Sequence, residues 1–187
     1  MRIIAGKYKR QRIEYPKAKA VVRPTMDRVK ESMFNMVSPG LEGTTCLSIF
    51  SGSGSLGLEA LSRGAKSVVF VDSYHASIIV IRNNISRLGI PADAVEIFQM
   101  DALRAIERFS RENRRFEYVF IDPPYHKDYI KKTLLKLECF DILAPDSYLV
   151  IEHSKEEQIP PSDLFYPIKT KRFGATLITI CRKGAQS

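Results

Sequence analysis

The chain of 187 residues has only three cysteines, Cys46, Cys139 and Cys181, far apart and in no Cys-x-x-Cys pair. An odd, unpaired set excludes a disulfide framework and a zinc site and fits a reducing compartment, so a cytoplasmic location is expected. Histidine is equally scarce. His75, His126 and His153 show no ligand spacing, and no metal is expected. No apolar run approaches the roughly 18 residues that cross a bilayer. The basic N-terminus lacks the apolar centre of a secretion signal, and no membrane partner is expected. Repeats and low-complexity tracts are absent too.

What is present reads as one globular domain. Apolar residues make up 44% and charged residues 27%, ordinary values for a chain long enough to bury a core. The net charge of +8 is concentrated at one end. Residues 1–30 hold ten Lys and Arg against Glu14 and Asp27, and the rest of the chain is balanced. A neutral body with a basic arm is the electrostatic footprint of phosphate-backbone binding. A solubilising tail is the alternative, and Ile3, Ile4, Tyr8, Ile13 and Tyr15 argue against it because disordered tails carry few apolar residues.

Taken in order, residues 2–13 read as a short β-hairpin turning at Gly6-Lys7, followed by an irregular basic connector over 14–22. Val29, Met33, Phe34 and Val37 form a helical stripe over 27–37, with Thr25 as its N-cap. Strand and helix then alternate. Strands are expected at 44–50, 67–72, 95–100, 118–121 and 148–152, and helices at 56–63, 75–88, 102–113 and 127–138. Residues 166–172 and 175–181 read as a closing antiparallel hairpin. Such alternation predicts an α/β fold, a mostly parallel seven-stranded sheet with helices on both faces.

Two stretches carry the chemistry. Asp122-Pro123-Pro124-Tyr125 ends an apolar strand on a stiff turn at the carboxyl edge of the sheet, where open α/β folds bind ligands. A fixed carboxylate, exposed carbonyls and an aromatic ring suit a flat base bearing an amino group: the oxygens accept from the NH2 and the ring stacks. Gly52-x-Gly54-x-x-Gly57 opens a helix directly after a strand, the context of a nucleotide-binding turn. Asp72, twenty residues on, suits a ribose diol, and Asp101 at the next strand end suits an adenine amine. The glycine turn and Asp72 alone fit NAD as well as S-adenosylmethionine. Asp101 and Asp122 shift the balance to S-adenosylmethionine, with its methionine end at the glycines and its sulfonium toward Asp122.

With 49–65 (Ile49 to Ala65) and Asp122-Pro123-Pro124-Tyr125 in view, the sequence resembles the bacterial 16S ribosomal RNA guanine-N2 methyltransferases of the RsmD type. Residues 1–9 and Arg23-Pro24-Thr25 with Asp27-Arg28-Val29 match that family's N-terminal signatures, so the resemblance spans nearly the whole chain. It implies a class I methyltransferase fold over 23–187, with 1–22 as an RNA-binding extension. It also implies S-adenosylmethionine as donor, one exocyclic guanine amine as acceptor, and 16S rRNA in the small subunit or its assembly intermediate as partner, met by a monomer. The catalytic set becomes Asp122, Pro123, Pro124 and Tyr125. The cofactor set becomes Thr25, Ser48, Phe50, Ser51, Gly52, Gly54, Asp72, Ser73, Asp101 and Ala102. Lys7, Lys9, Arg10, Arg12, Lys17, Lys19 and Arg23 are the expected phosphate contacts. One departure stands out: the family usually has an Asp where this chain has Ser48, which brings a hydroxyl but no charge.

Three other readings compete. An amino-methyltransferase acting on adenine or cytosine in DNA, or on another RNA, would use the same Asp-Pro-Pro-Tyr, although so short a chain leaves no room for a DNA target-recognition domain. An NAD-linked oxidoreductase leaves that tetrapeptide and the basic arm unexplained. A non-catalytic RNA-binding module has only Ser48 in its favour.

Overall fold

The computed structural model describes residues 1–16, 25–37, 40–124 and 128–184, without the side chains of Thr25 and Met26. Its centre is a seven-stranded sheet built from β1 (Thr45–Ile49), β2 (Ser67–Asp72), β3 (Val95–Gln99), β4 (Phe116–Ile121), β5 (Leu143–Ser154), β6 (Phe165–Phe173) and β7 (Thr176–Lys183). The strand order is β3-β2-β1-β4-β5-β7-β6. β1 to β5 run parallel, and β7 is antiparallel to both β5 and β6. β1, β2 and β4 are buried at nearly every position, as strands covered on both faces must be. Outward from β1 the chain first goes to β2 and β3, then returns to place β4 on the other side. The crevice between β1 and β4 is therefore the topological switch point.

Helices α1 (Thr25–Val37), α2 (Ser55–Ser62) and α3 (His75–Leu88) cover one face, and α4 (Ala102–Arg111) and α5 (Tyr129–Cys139) the other. On the first face Phe34, Phe70, Phe120 and Ile81 are wholly buried, and on the second Phe109, Phe116, Ile106 and Leu134. Each such side chain contributes about 1.5–3 kcal/mol by leaving water. Phe34 packs on Phe120 at 5.4 Å between ring centroids, which pins α1 to the central strand.

Most expected elements sit within two residues of their places, and β2 and α3 have the bounds expected. β5 is the exception. It begins at Leu143 rather than Tyr148, running through Pro145-Asp146. Asp146 adopts φ 57°, and the pairing with β4 shifts between Phe116 and Tyr118, so a dipeptide that reads as a turn is absorbed inside the strand.

The N-terminal hairpin is looser than expected. Arg2 and Arg12 form a single antiparallel bridge, with Ile3 N–H donating to Gln11 at 2.9 Å and Arg10 N–H to Ile3 at 2.9 Å. The reversal occupies residues 5–10 rather than a tight Gly6-Lys7 turn. Gly6 has a different task. A Cβ there would lie 1.7 Å from the Ser62 carbonyl, so the missing side chain lets the arm rest on the end of α2. Thr25, expected as a cap, is the first helical residue of α1. Lys17, Lys19, Arg23 and Tyr125 lie outside the described residues.

Candidate cofactor cleft and basic arm

A cleft of about 420 Å³ opens along the carboxyl edge of the parallel strands. The end of each strand supplies part of its wall: Phe50 after β1, Asp72 to Tyr74 at β2, Asp101 and Ala102 after β3, Asp122 to Pro124 after β4, and Glu152 from β5. Tyr129, at the start of α5, closes one side, its ring 5.4 Å from that of Phe50. The volume lies within the range of small-molecule sites.

The glycine turn is held from behind. Ser51 Oγ donates to the Ser48 carbonyl at 2.7 Å and accepts from Val71 N–H at 3.1 Å, tying β1 to β2. Ser48 is buried in β1 opposite Phe70 and Phe120 and does not line the cleft; its hydroxyl belongs to this support. Gly52, with φ 56°, donates its N–H to Asp72 Oδ2 at 2.7 Å, and Tyr74 N–H donates to Asp72 Oδ1 at 2.8 Å. Asp72 therefore locks the turn to the end of β2, and each oxygen keeps a second acceptor position for a ligand. Gly54 caps α2 without a side-chain hydrogen bond, so the first N–H groups of the helix favour a negative ligand group. Gly57 lets α2 lie on the sheet: a Cβ would come within 2.4 Å of the Phe70 ring.

Asp101 carries a second duty that its strand-end position did not announce. Its Oδ1 accepts from Leu103 N–H at 2.9 Å and Arg104 N–H at 3.2 Å, the N-cap of α4. Asp122 is half-buried on the cleft wall, with Pro123 buried behind it and Pro124 exposed. Tyr74, Tyr129 and Glu152 were not expected at the cleft. Glu152 could have been found from the pattern of acids at the carboxyl ends of strands, which it shares with Asp72 and Asp122. Among the described residues no cluster of His, Cys, Asp or Glu could hold a metal, and no helix is long and apolar enough to cross a membrane.

Lys7, Lys9, Arg10 and Arg12 are exposed on the arm, while Ile3 and Ile13 are buried in the core beneath it. The clamp is Glu59 on α2, wholly buried. It accepts from Ile4 N–H at 2.9 Å and Ala5 N–H at 3.1 Å, and pairs with Lys30 at 3.1 Å and Arg63 at 2.9 Å. Lys30 also donates to the Arg2 carbonyl at 2.7 Å. Burial pushes the Lys30 ammonium below its ordinary pKa against the opposing pull of Glu59. On the far side, Asn84 of α3 accepts from Glu14 N–H at 2.9 Å and donates to the carbonyls of Glu14 and Ser53. One side chain thus joins the arm to the glycine turn. The signal for Glu59 was a lone acid among Leu58, Ala60 and Leu61, with a basic partner four residues on.

Strand order, glycine turn and closing antiparallel hairpin together define a class I S-adenosylmethionine-dependent methyltransferase fold. The solved structure of the Escherichia coli protein yhhF superposes with a TM-score of 0.85 at 28% identity, covering 100% of this chain and 99% of that one. The family described as "Conserved hypothetical protein 95" matches residues 1–182. YlbH of Bacillus subtilis is 35% identical over 185 residues, 98% of this chain and 99% of that protein. Ribosomal RNA small subunit methyltransferase D of Haemophilus influenzae is 30% identical over 174 residues, 93% of this chain and 89% of that protein. The chain belongs to this family, the RsmD family.

Proposed function

We propose that the protein methylates the exocyclic N2 amine of one guanine in 16S rRNA, using S-adenosylmethionine, in the cytoplasm and as a monomer. The observation that carries this reading is the rigid Asp122-Pro123-Pro124 turn on the wall of a cleft otherwise framed by Asp72 and Asp101, in a member of the RsmD family. The residues suit the cofactor. The start of α2, whose Gly54 cap makes no side-chain hydrogen bond, suits its carboxylate, Asp72 its ribose, and the Asp101 edge its adenine amine. Thr25, Ser73 and Ala102 complete the cofactor set, and Ser48 serves it by holding the turn. When bound, S-adenosylmethionine supplies the electrophilic methyl group.

The protein's own part is positioning. Guanine N2 is a poor nucleophile because its lone pair is delocalised into the ring. Asp122 and the Pro123 carbonyl accept hydrogen bonds from the NH2, fix its orientation and stabilise charge developing on nitrogen. Tyr125 stacks on the extruded base, a contact of about 1–3 kcal/mol. The basic side chains of residues 1–22, with Arg23, hold phosphates and set the register of the RNA.

The test is transfer of label from tritiated S-adenosylmethionine to small ribosomal subunits from a strain lacking this activity, followed by nucleoside identification. Label in N2-methylguanosine at one site is expected. Label in methyladenosine or methylcytidine keeps the enzyme class and overturns the acceptor.

A further inference from the structure

A second groove, of about 350 Å³, lies between α1 and the edge strand β6, outside the cleft. One face of the helix, with Arg28, Glu31 and Asn35, looks onto one face of the strand, with Lys169, Lys171 and Phe173. Arg28, Lys169 and Lys171 are exposed, and among the described residues none of the three forms an ion pair. The groove therefore holds three cations against the single acid Glu31. Lysines on an edge strand also discourage strand addition. That role places no demand on which face they occupy, whereas here both share the face turned toward Arg28. Lys171 is held above the Phe173 ring at 5.4 Å, which fixes where its charge sits.

The position comes from the strand register. Glu152, on the cleft wall, pairs with Ile178 of β7, and Ile178 pairs with Lys171 of β6. Directly opposed residues share a face, so the three form a row across the sheet. Two strand spacings, about 10 Å, separate Lys171 from Glu152. A few nucleotides cover that distance.

We propose that the α1–β6 groove is an RNA-binding track, in which Arg28, Lys169 and Lys171 hold phosphates flanking the nucleotide presented to the cleft. The inference rests on the reading of the protein as an RNA methyltransferase. It adds a second grip on the RNA to that of the N-terminal arm. Charge complementarity selects the polyanion: the groove sets three exposed cations against the single acid Glu31.

The test compares the full-length protein with the R28A/K169A/K171A variant for binding to small ribosomal subunits across a potassium chloride series. Cofactor affinity and melting temperature serve as folding controls. At about 0.7 counterions per phosphate contact, three lost contacts reduce the slope of log K against log salt by about 2. At physiological salt they weaken binding roughly 10- to 50-fold. That change, with cofactor affinity and melting temperature unaltered, supports the track. A K131A/K132A variant on α5, altered in two exposed lysines elsewhere, keeps the wild-type slope. An unchanged slope in the triple variant, with the unaltered protein still methylating subunits, overturns the track and leaves the activity standing. Weaker binding at an unchanged slope assigns the groove to a protein component of the particle and equally overturns it. A wild-type protein that neither binds nor methylates subunits overturns both readings.

Discussion

Replacing Glu59 with Gln removes the charge paired directly with Lys30, a residue only 3% exposed and 3.1 Å away. The amide keeps the size of the carboxylate but has one acceptor oxygen where four donors now converge: Ile4 N–H, Ala5 N–H, Lys30 and Arg63. Leaving one member of a buried ion pair without its partner costs about 3–5 kcal/mol. For a chain of this length each kcal/mol lowers the melting temperature by about 2–4 °C, so a drop of roughly 6–20 °C is expected. Part of that cost belongs to Lys30, and the double variant Glu59→Gln with Lys30→Met isolates it. Removing the stranded ammonium should recover more than about 1 kcal/mol, a coupling outside the range of independent sites.

Thermal unfolding of the four members of this cycle measures the magnitude, and amide exchange at Ile4 and Ala5 reports where it acts. Both amides should exchange faster in Glu59→Gln than the melting temperature alone accounts for, because the arm loses its anchor locally. A drop below about 2 °C, or additive effects in the cycle, would refute the claim that this pair is desolvated and holds the arm.

Gly57→Ala should cost about 1–3 kcal/mol through overpacking, since the new methyl would meet the Phe70 ring at 2.4 Å; urea unfolding measures it. Asp122→Ala should lower kcat by about 100-fold or more with little change in rRNA affinity, as loss of a charge-stabilising group does; equal loss in affinity with unchanged turnover would remove Asp122 from the chemistry. Burial holds the Cys46 and Cys181 thiols up at about 12, above the ordinary value of 9.0. A raised folded pKa contributes stability that is complete below about pH 9 and lost as pH climbs toward about 12. The C46A/C181A variant, less stable at neutral pH, should show a shallower decline across that window. Deleting residues 1–13 should lower the melting temperature sharply, because it uncovers Glu59 and Lys30 together with the Ile3 and Ile13 sites. Lys7→Ala with Lys9→Ala and Arg10→Ala should instead weaken rRNA binding without moving the melting temperature.

The sheet and the cleft were legible because their signals are local. An apolar run buried on both faces, a glycine turn opening a helix and an acid at a strand end each announce themselves within a few residues. The bounds of β2 and α3 came out as read, and Asp72, Asp101 and Asp122 all reached one cleft. What stayed hidden depends on distant partners. Nothing near residue 59 says that Ile4 and Ala5, more than fifty positions away, complete its hydrogen bonds. The same holds for Asn84, which reaches Glu14 from seventy residues away. β5 misled for a different reason: Pro145-Asp146 falls in an irregularity of the ladder, and the strand continues across it because Leu143 before it and Tyr148 after it both pair with β4.

The distribution of charge then gains a physical sense that the net value of +8 conceals. Asp72, Asp101, Asp122 and Glu152 lie at the ends of four parallel strands or just beyond them, so the cleft is ringed with acids in a basic protein. The arm and the α1–β6 groove carry exposed cations outside it. The proposed cofactor is cationic at its sulfur and the proposed substrate is a polyanion, and the two would be drawn to different places by the same field. An RNA strand held by its phosphates on those basic surfaces would be repelled from the cleft along its backbone. Only a base swung away from that backbone enters without bringing charge against the ring of acids. A cleft lined with lysine would favour the phosphates themselves. On the proposed function the acidic edge would favour an extruded base as well as a cation, and neutralising Glu152 as Gln, which removes charge without changing shape, should reduce the salt sensitivity of turnover.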